Sequence, residues 1–131
     1  GQALNLTPII NDGIAEFATS STSYVPLEEL KRDNYPLWRA RMESGWFSSQ
    51  DPEVFKVKVV EAMEGIIDAH PGERVAVFCH AGVINIWAGH VIGARRYLFF
   101  EPAYTSIHRF GAGRQGQRGV LSLNEQAHLH D

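Results

Sequence analysis

RVAVFCHAGVINIWAGHVIG, residues 74–93, places an apolar run, a turn of small residues and a second apolar run in direct succession. The first run, Arg74–Cys79, is almost continuously apolar and is bounded by turn residues, which is typical of a strand buried on both faces of a parallel sheet. From Val83 the apolar residues recur at helical spacing until Gly93, a residue type that commonly ends a helix. We therefore predict a central strand, a tight turn at residues 80–82 and a helix.

The sequence before this stretch predicts one long helix and a peripheral helical segment. Asp51 and Pro52 indicate the start of a helix. The Asp side chain can accept a hydrogen bond from a free backbone amide, and Pro has no N–H that would need a partner at the first helical position. An apolar stripe continues that helix to Ala69. Residues 24–50 hold two short helices opened by prolines and are interpreted as a helical cap or insertion, and residues 7–10 are predicted to form a strand.

After the central helix the sequence predicts a hairpin. Thr105–Phe110 and Gly119–Leu123 are short β-prone runs on either side of the Gly-rich stretch GAGRQGQRG. The order of elements is then β, helices, β, α, β, β. This order predicts an α/β fold in one domain, residues 1–131.

Composition and charge exclude several classes of protein. The 131 residues carry a formal net charge of −3 and their basic residues are scattered, so no nucleic-acid partner is expected. No apolar run approaches the roughly 18 residues of a membrane span, so no membrane partner is expected either. Cys79 is the only cysteine and cannot form an internal disulfide, which fits a reducing compartment. We expect a soluble, cytoplasmic protein that acts on a small ligand.

His80 follows the predicted central strand and begins the turn before the helix. In open α/β sheets ligands bind at the carboxyl ends of the strands, where helix N-termini present free amides to anions. Ala81 and Gly82 are small enough to let a ligand approach the backbone. On spacing alone, a phosphoryl-binding role and a structural strand cap are both open for His80.

Four blocks of sequence carry a family resemblance. They read GIAEF at residues 13–17, then residues 74–93, then PAYTSIHRF at 102–110 and VLSLNEQAHL at 120–129. Together they resemble the later part of the histidine-phosphatase (phosphoglycerate-mutase-like) superfamily. The resemblance implies a three-layer α/β sandwich with a mostly parallel sheet. Because the family's R-H-G motif is not in the sequence, it also implies a domain that is incomplete at its N-terminus.

The resemblance implies roles for individual residues. In the family a second histidine binds the transferring phosphoryl group and a glutamate protonates the leaving oxygen, which here correspond to His80 and Glu16. Ala81 and Gly82 would line the phosphate position. The implied function is hydrolysis of small phosphate esters through a phosphohistidine intermediate in the full-length parent. Since the motif bearing the nucleophilic histidine is missing, this chain is expected to be inactive alone.

Two alternatives stand beside hydrolysis. The first is phosphoglycerate-mutase-type phosphoryl transfer, which is less favoured because Glu16 is followed by Phe17 and Ala18, whereas mutases have E-R-x-x-G after the leucine. The second is a noncatalytic module that binds an anion or a partner chain. No metal or organic cofactor is implied. An exposed sheet edge would favour a homodimer or strand exchange.

Other polar residues receive structural interpretations. His108 is predicted to point outward from a strand, with a family-like pocket role as the lesser alternative, and His70 is predicted to end a helix where the dipole favours it. His128 and His130 are too few to predict a metal site. Cys79 is predicted to be inert, because the cysteine-phosphatase pattern C-x5-R would need arginine where Asn85 stands. Arg95 and Arg96 are interpreted as a helix end, with a phosphate contact as the lesser alternative.

Overall fold

The computed structural model describes residues 1–16, 27–44 and 51–130. Within these ranges the structure is a mixture of helices and one two-stranded antiparallel sheet, which agrees with an α/β composition. Single 3-10 turns lie at Gln2–Leu4, Asp12–Ile14 and Ala127–Leu129. The helices and strands are α1 (Leu27–Asp33), α2 (Tyr35–Ser44), α3 (Pro52–Ala69), α4 (Ala81–Ile92), β1 (Ile107–Ala112) and β2 (Arg118–Glu125).

The two short helices predicted within residues 24–50 are present as α1 and α2, which pack on each other. The ammonium of Lys31 lies 4.8 Å from the centre of the Trp38 ring, and Tyr35 stacks on the same ring. Leu30 is buried. Residues 24–26 and 45–50 of the predicted cap lie outside the described residues.

Helix α3 begins and ends as its sequence predicts. The Asp51 side chain accepts a hydrogen bond of 2.9 Å from the amide of Glu53, and Pro52 occupies the first helical position. His70 is the C-cap residue, and its Nδ1 lies 2.9 Å from a carboxylate oxygen of Glu73. The Asp51 side chain thus provides an acceptor for an amide that the helix itself leaves unpaired.

The hydrophobic core lies where α3 packs against α4. Phe55 and Val59 of α3 meet Val83, Ile86 and Trp87 of α4, and each of the five is at most 3% exposed. The burial of this apolar face is the main stabilising contribution to such a helix pair. The α4 helix ends at Ile92, and its C-cap residue is the predicted glycine, Gly93, in a left-handed conformation.

The predicted hairpin is confirmed as β1 and β2. The two strands pair antiparallel, with irregular register between Ile107 and Phe110. Phe110 meets the Trp87 ring edge-on at 6.3 Å, which joins the hairpin to α4. Arg118 donates to a carboxylate oxygen of Glu64 at 2.6 Å, which joins β2 to α3.

The predicted central strand at residues 74–79 is not formed in the described part of the chain. Among the described residues it pairs with no other strand, and Val75 and Phe78 are 46% and 92% exposed. The strand predicted at residues 7–10 is not formed either, and Ile9 is exposed. Apolar periodicity indicates that a segment could lie in a sheet. A strand also needs the N–H and C=O groups of a neighbouring strand as hydrogen-bond partners. A mostly parallel sheet is therefore not confirmed.

None of the helices in the described residues is both long enough and apolar enough to cross a bilayer.

Candidate active site

His80 occupies the N-cap position of α4. Its backbone is extended, with φ −113° and ψ 172°, and its side chain makes no capping hydrogen bond to the helix. The residue is exposed, and no described group is hydrogen-bonded to its ring. The imidazole is therefore accessible at a helix N-terminus, where the amides of the first turn favour anions.

Glu16 lies beside the same helix N-terminus, although it is 66 residues from Gly82 in the sequence. Its Oε2 accepts a hydrogen bond of 3.0 Å from the Gly82 amide. The contact brings together Glu16 and the 80–82 turn, which sequence analysis assigned to one site. The carboxylate thus holds a position where a helix N-terminus can bind an anion.

The 3-10 turn Asp12–Ile14 determines where Glu16 lies. Asn11 accepts a 2.9 Å hydrogen bond from the amide of Gly13, which closes the turn. A Cβ atom on Gly13 would be 2.5 Å from the Cβ of Ala62 in α3, so only glycine allows this approach. Close packing of the 3-10 turn on α3 therefore fixes the position of the backbone two residues before Glu16.

Cys79 completes the local environment of the turn. Burial raises the pKa of its thiol to about 11, and the negative charge of Glu16 adds to the shift. The thiol is therefore protonated near neutral pH, and thiolate is the form that acts as a nucleophile. This agrees with the prediction that Cys79 is inert.

Asn85 was not singled out as a site residue from the sequence. It is only 2% exposed, and its side chain links the first turn of α4 to the backbone of Phe99 and Phe100. One signal was available: Asn85 is a polar residue inside the apolar period of a helix, and buried polar groups are normally paired.

His108 differs from its prediction, because it does not point freely outward. It is half-buried, its Nδ1 accepts from the amide of Asn124 at 3.0 Å, and its Nε2 lies 2.9 Å from the hydroxyl of Ser106. Burial lowers the pKa of His108, and Glu125 opposes that shift. The bulge after Ile107 interrupts simple alternation, which is why the sequence pattern misassigned the side chain.

The blocks at 102–110 and 120–129 meet through polar side chains. Asn124, at φ 58°, accepts from the amide of Ala103 at 2.9 Å. The Nε2 of His128 is 2.8 Å from the carbonyl oxygen of Thr105. These residues hold the segment before β1 against the end of β2, so the blocks have a structural role here. Among the described residues no group of three or more His, Cys, Asp or Glu side chains could hold a metal.

Arg95 and Arg96 lie at the other end of α4 from His80. With Lys56 and His90 they line a small cavity of about 80 Å³ between α3 and α4. They are thus separated from Glu16 and Gly82 by the length of the helix.

Comparison with known proteins identifies one family. The model of the histidine phosphatase superfamily (branch 1) matches residues 1–125. Neither the curated proteins nor the solved structures yield a match.

Proposed function

The chain belongs to branch 1 of the histidine phosphatase superfamily, and from this premise we propose that it is part of a phosphohydrolase acting on small phosphate esters. Members of this superfamily carry out phosphatase-type or mutase-type phosphoryl transfer. We assign the catalytic roles to His80 and Glu16, and the binding of phosphoryl oxygens to His80, Ala81 and Gly82.

The contact between Glu16 and Gly82 is the observation that supports this proposal most. A proton donor has to lie within hydrogen-bonding reach of the oxygen that it protonates. A phosphoryl group that displaces Glu16 Oε2 from the Gly82 amide, where the carboxylate now lies at 3.0 Å, would bind at the N-terminus of α4 next to the Glu16 carboxyl. His80 caps the same helix and is accessible to the same ligand.

The proposed reaction has two steps. In the first, the phosphoryl group passes from the ester oxygen to a nitrogen of the histidine in R-H-G, while Glu16 gives its proton to the leaving oxygen. In the second, water attacks the phosphohistidine, Glu16 takes a proton from that water, and inorganic phosphate leaves. His80 and the Gly82 amide stabilise the negative charge on the equatorial oxygens, on which phosphoryl transfer chiefly depends.

Two finer assignments follow from the sequence. Because R-H-G does not occur in these 131 residues, we propose that they do not turn over substrate by themselves. We favour hydrolysis over mutase-type transfer, because the residues after Glu16 differ from the E-R-x-x-G of mutases. The mutase reaction remains the alternative within the family.

The exposed apolar run at residues 74–79 supports a proposal about the fold and its partners. Val75 and Phe78 are large, apolar and exposed, as Ile9 and Ile10 are. We propose that this run is a strand of a mostly parallel sheet in a three-layer sandwich, completed by a further strand. In the isolated chain the same edge would pair with a second copy, giving a homodimer. A noncatalytic partner-binding module is the second candidate function, and this exposed edge favours it.

Hydrolysis of 4-nitrophenyl phosphate tests the proposed function. The assay compares this chain with any longer natural form that contains R-H-G, each as wild type, His80→Ala and His130→Ala. His130 is an exposed histidine outside the site and is the matched control. We expect activity only in the longer form, a loss on the order of 100-fold or more for His80→Ala, and no loss for His130→Ala. Inactivity of the longer form would favour the noncatalytic module.

A further inference from the structure

Asn85 is the polar residue that is buried in the core of the described chain. Its Nδ2 donates to the carbonyl oxygens of Ala81 and Phe100, both at 3.0 Å. Its Oδ1 accepts from the amides of Phe99 at 2.8 Å and Phe100 at 3.1 Å. Two donors and two acceptor positions are thus all used, which is the full capacity of a carboxamide.

These four hydrogen bonds join two parts of the molecule. Ala81 is the first residue of α4, between His80 and the Gly82 amide that holds Glu16. Phe99 and Phe100 belong to the segment that leads into the hairpin, and the Phe100 ring contacts His108 edge-on at 5.7 Å. One side chain therefore ties the helix N-terminus at the candidate site to the segment before β1.

We propose that Asn85 is a positioning residue for the phosphoryl site. Asn85 holds the first turn of α4 against the segment at residues 99–100. In this way it sets the direction of the Gly82 amide and the position of His80. This inference rests on the proposed function, in which that amide and His80 bind the phosphoryl oxygens.

An apolar replacement separates positioning from packing. Asn85→Leu has a similar volume but leaves the part-buried amides of Phe99 and Phe100 without their side-chain acceptor, so we expect the segment to move away from α4. The Ala81 carbonyl loses its side-chain partner at the same time. We therefore expect the Gly82 amide to change its environment, which a general loss of stability would not cause.

The experiment records ¹H–¹⁵N spectra of wild type, Asn85→Leu and Asp51→Ala, each during titration with inorganic phosphate. Asp51 caps the N-terminus of α3, where its side chain accepts from the Glu53 amide, so its loss destabilises the fold without removing a hydrogen bond of Gly82 or Asn85. We expect Asn85→Leu to displace the Gly82 resonance and to weaken phosphate binding about tenfold, and Asp51→Ala to leave both unchanged.

Each outcome decides the proposal. An unchanged Gly82 resonance and unchanged phosphate affinity in Asn85→Leu would overturn it. Should Asn85→Leu not fold, Asn85→Asp keeps an acceptor for the amides of Phe99 and Phe100 but removes the donors to the carbonyl oxygens of Ala81 and Phe100, and the Gly82 resonance is again expected to move. If phosphate does not perturb Gly82 in the wild type, the proposed function fails, while the displacement caused by the variant still reports whether Asn85 positions the turn.

Discussion

At the scale of single residues, Glu16 connects the chemistry of the site with the protonation of its neighbour. The carboxylate accepts from the Gly82 amide and also disfavours the thiolate of Cys79. Burial is the larger cause of the raised pKa of Cys79. Removing the charge of Glu16 should therefore lower the pKa of Cys79, but not to the ordinary value of a cysteine thiol.

Glu16→Gln tests this electrostatic coupling. We expect alkylation of Cys79 at pH 8 to become faster, because the pKa of the thiol falls and more thiolate is present. The measurement is the rate of iodoacetamide labelling as a function of pH, with Asp12→Asn as the control. An unchanged rate in Glu16→Gln would show that the carboxylate does not act on the thiol.

His108 should make stability depend on pH. Its pKa in the folded protein lies below the ordinary value because burial disfavours the imidazolium, and protonation would also end the hydrogen bond that Nδ1 accepts from Asn124. The contribution of His108 to the free energy of unfolding is thus complete above the pKa of the unfolded state, near 6.5. It is lost as the pH falls towards the lower pKa of the folded state. Glu125 opposes the shift and makes the loss smaller.

The variant His108→Gln isolates this contribution, since a glutamine can accept from Asn124 and donate to Ser106 without titrating. Urea unfolding at pH 7.5 and pH 5.5 should show a smaller loss of stability on acidification in the variant than in the wild type. Equal losses in the two proteins would exclude His108 as the titrating group.

Some residues of the site could be identified from the sequence alone and others could not. His80 and Glu16 could be selected because short blocks around them resemble a known family, and the structure brings Glu16 to the turn that His80 begins. Asn85 and the surroundings of His108 could not be derived in the same way. Asn85 is bonded to the backbone of Phe99 and Phe100, and His108 to the amide of Asn124; these partners lie 14 to 16 positions away, and no local periodicity encodes such contacts.

At the scale of elements, the caps and glycines carry testable consequences. Asp51→Ala removes the side-chain acceptor of the Glu53 amide and should lower the free energy of unfolding by about 1 kcal/mol. Asp51→Asn keeps an acceptor and should lose little. Urea unfolding of the two variants distinguishes capping from charge: equal losses would mean that the charge of Asp51 matters more than its hydrogen bond.

Gly13→Ala tests how the 3-10 turn positions Glu16. The added Cβ would be 2.5 Å from the Cβ of Ala62, so the turn must move away from α3, at a cost of about 1–3 kcal/mol. We expect the Gly82 amide resonance to shift because Glu16 moves with the turn. The double variant Gly13→Ala/Ala62→Gly removes the clash and should return that resonance towards its wild-type position; no recovery would count against this packing account.

Helix starts, helix ends and the hairpin were predictable because their signals are local. Asp51, Pro52 and Gly93 specify the ends of α3 and α4 through backbone geometry and capping, which a few neighbouring residues determine. The strand predicted at residues 74–79 had an equally clear apolar pattern, but strand formation depends on a partner that the pattern does not contain. The described residues supply none.

At the scale of the whole molecule, the exposed apolar run should govern association. Phe78 is 92% exposed, and Leu121 on the hairpin is 72% exposed, so the two provide a matched pair of substitutions. If residues 74–79 pair with a second copy, Phe78→Lys should shift the chain towards monomer, while Leu121→Lys should leave its association unchanged. Light scattering over a range of protein concentrations measures this, and a wild-type monomer at high concentration would contradict the homodimer.

The central claim is that His80, Glu16 and the N-terminus of α4 form the phosphoryl-binding half of a histidine-phosphatase site. The most direct test is titration of the isotope-labelled chain with inorganic phosphate, following the amide of Gly82 in wild type and in His80→Ala. We predict a saturable shift of that amide as phosphate displaces the Glu16 carboxylate, and its loss in His80→Ala. A Gly82 amide that does not respond to phosphate, or that responds equally without His80, would contradict the claim.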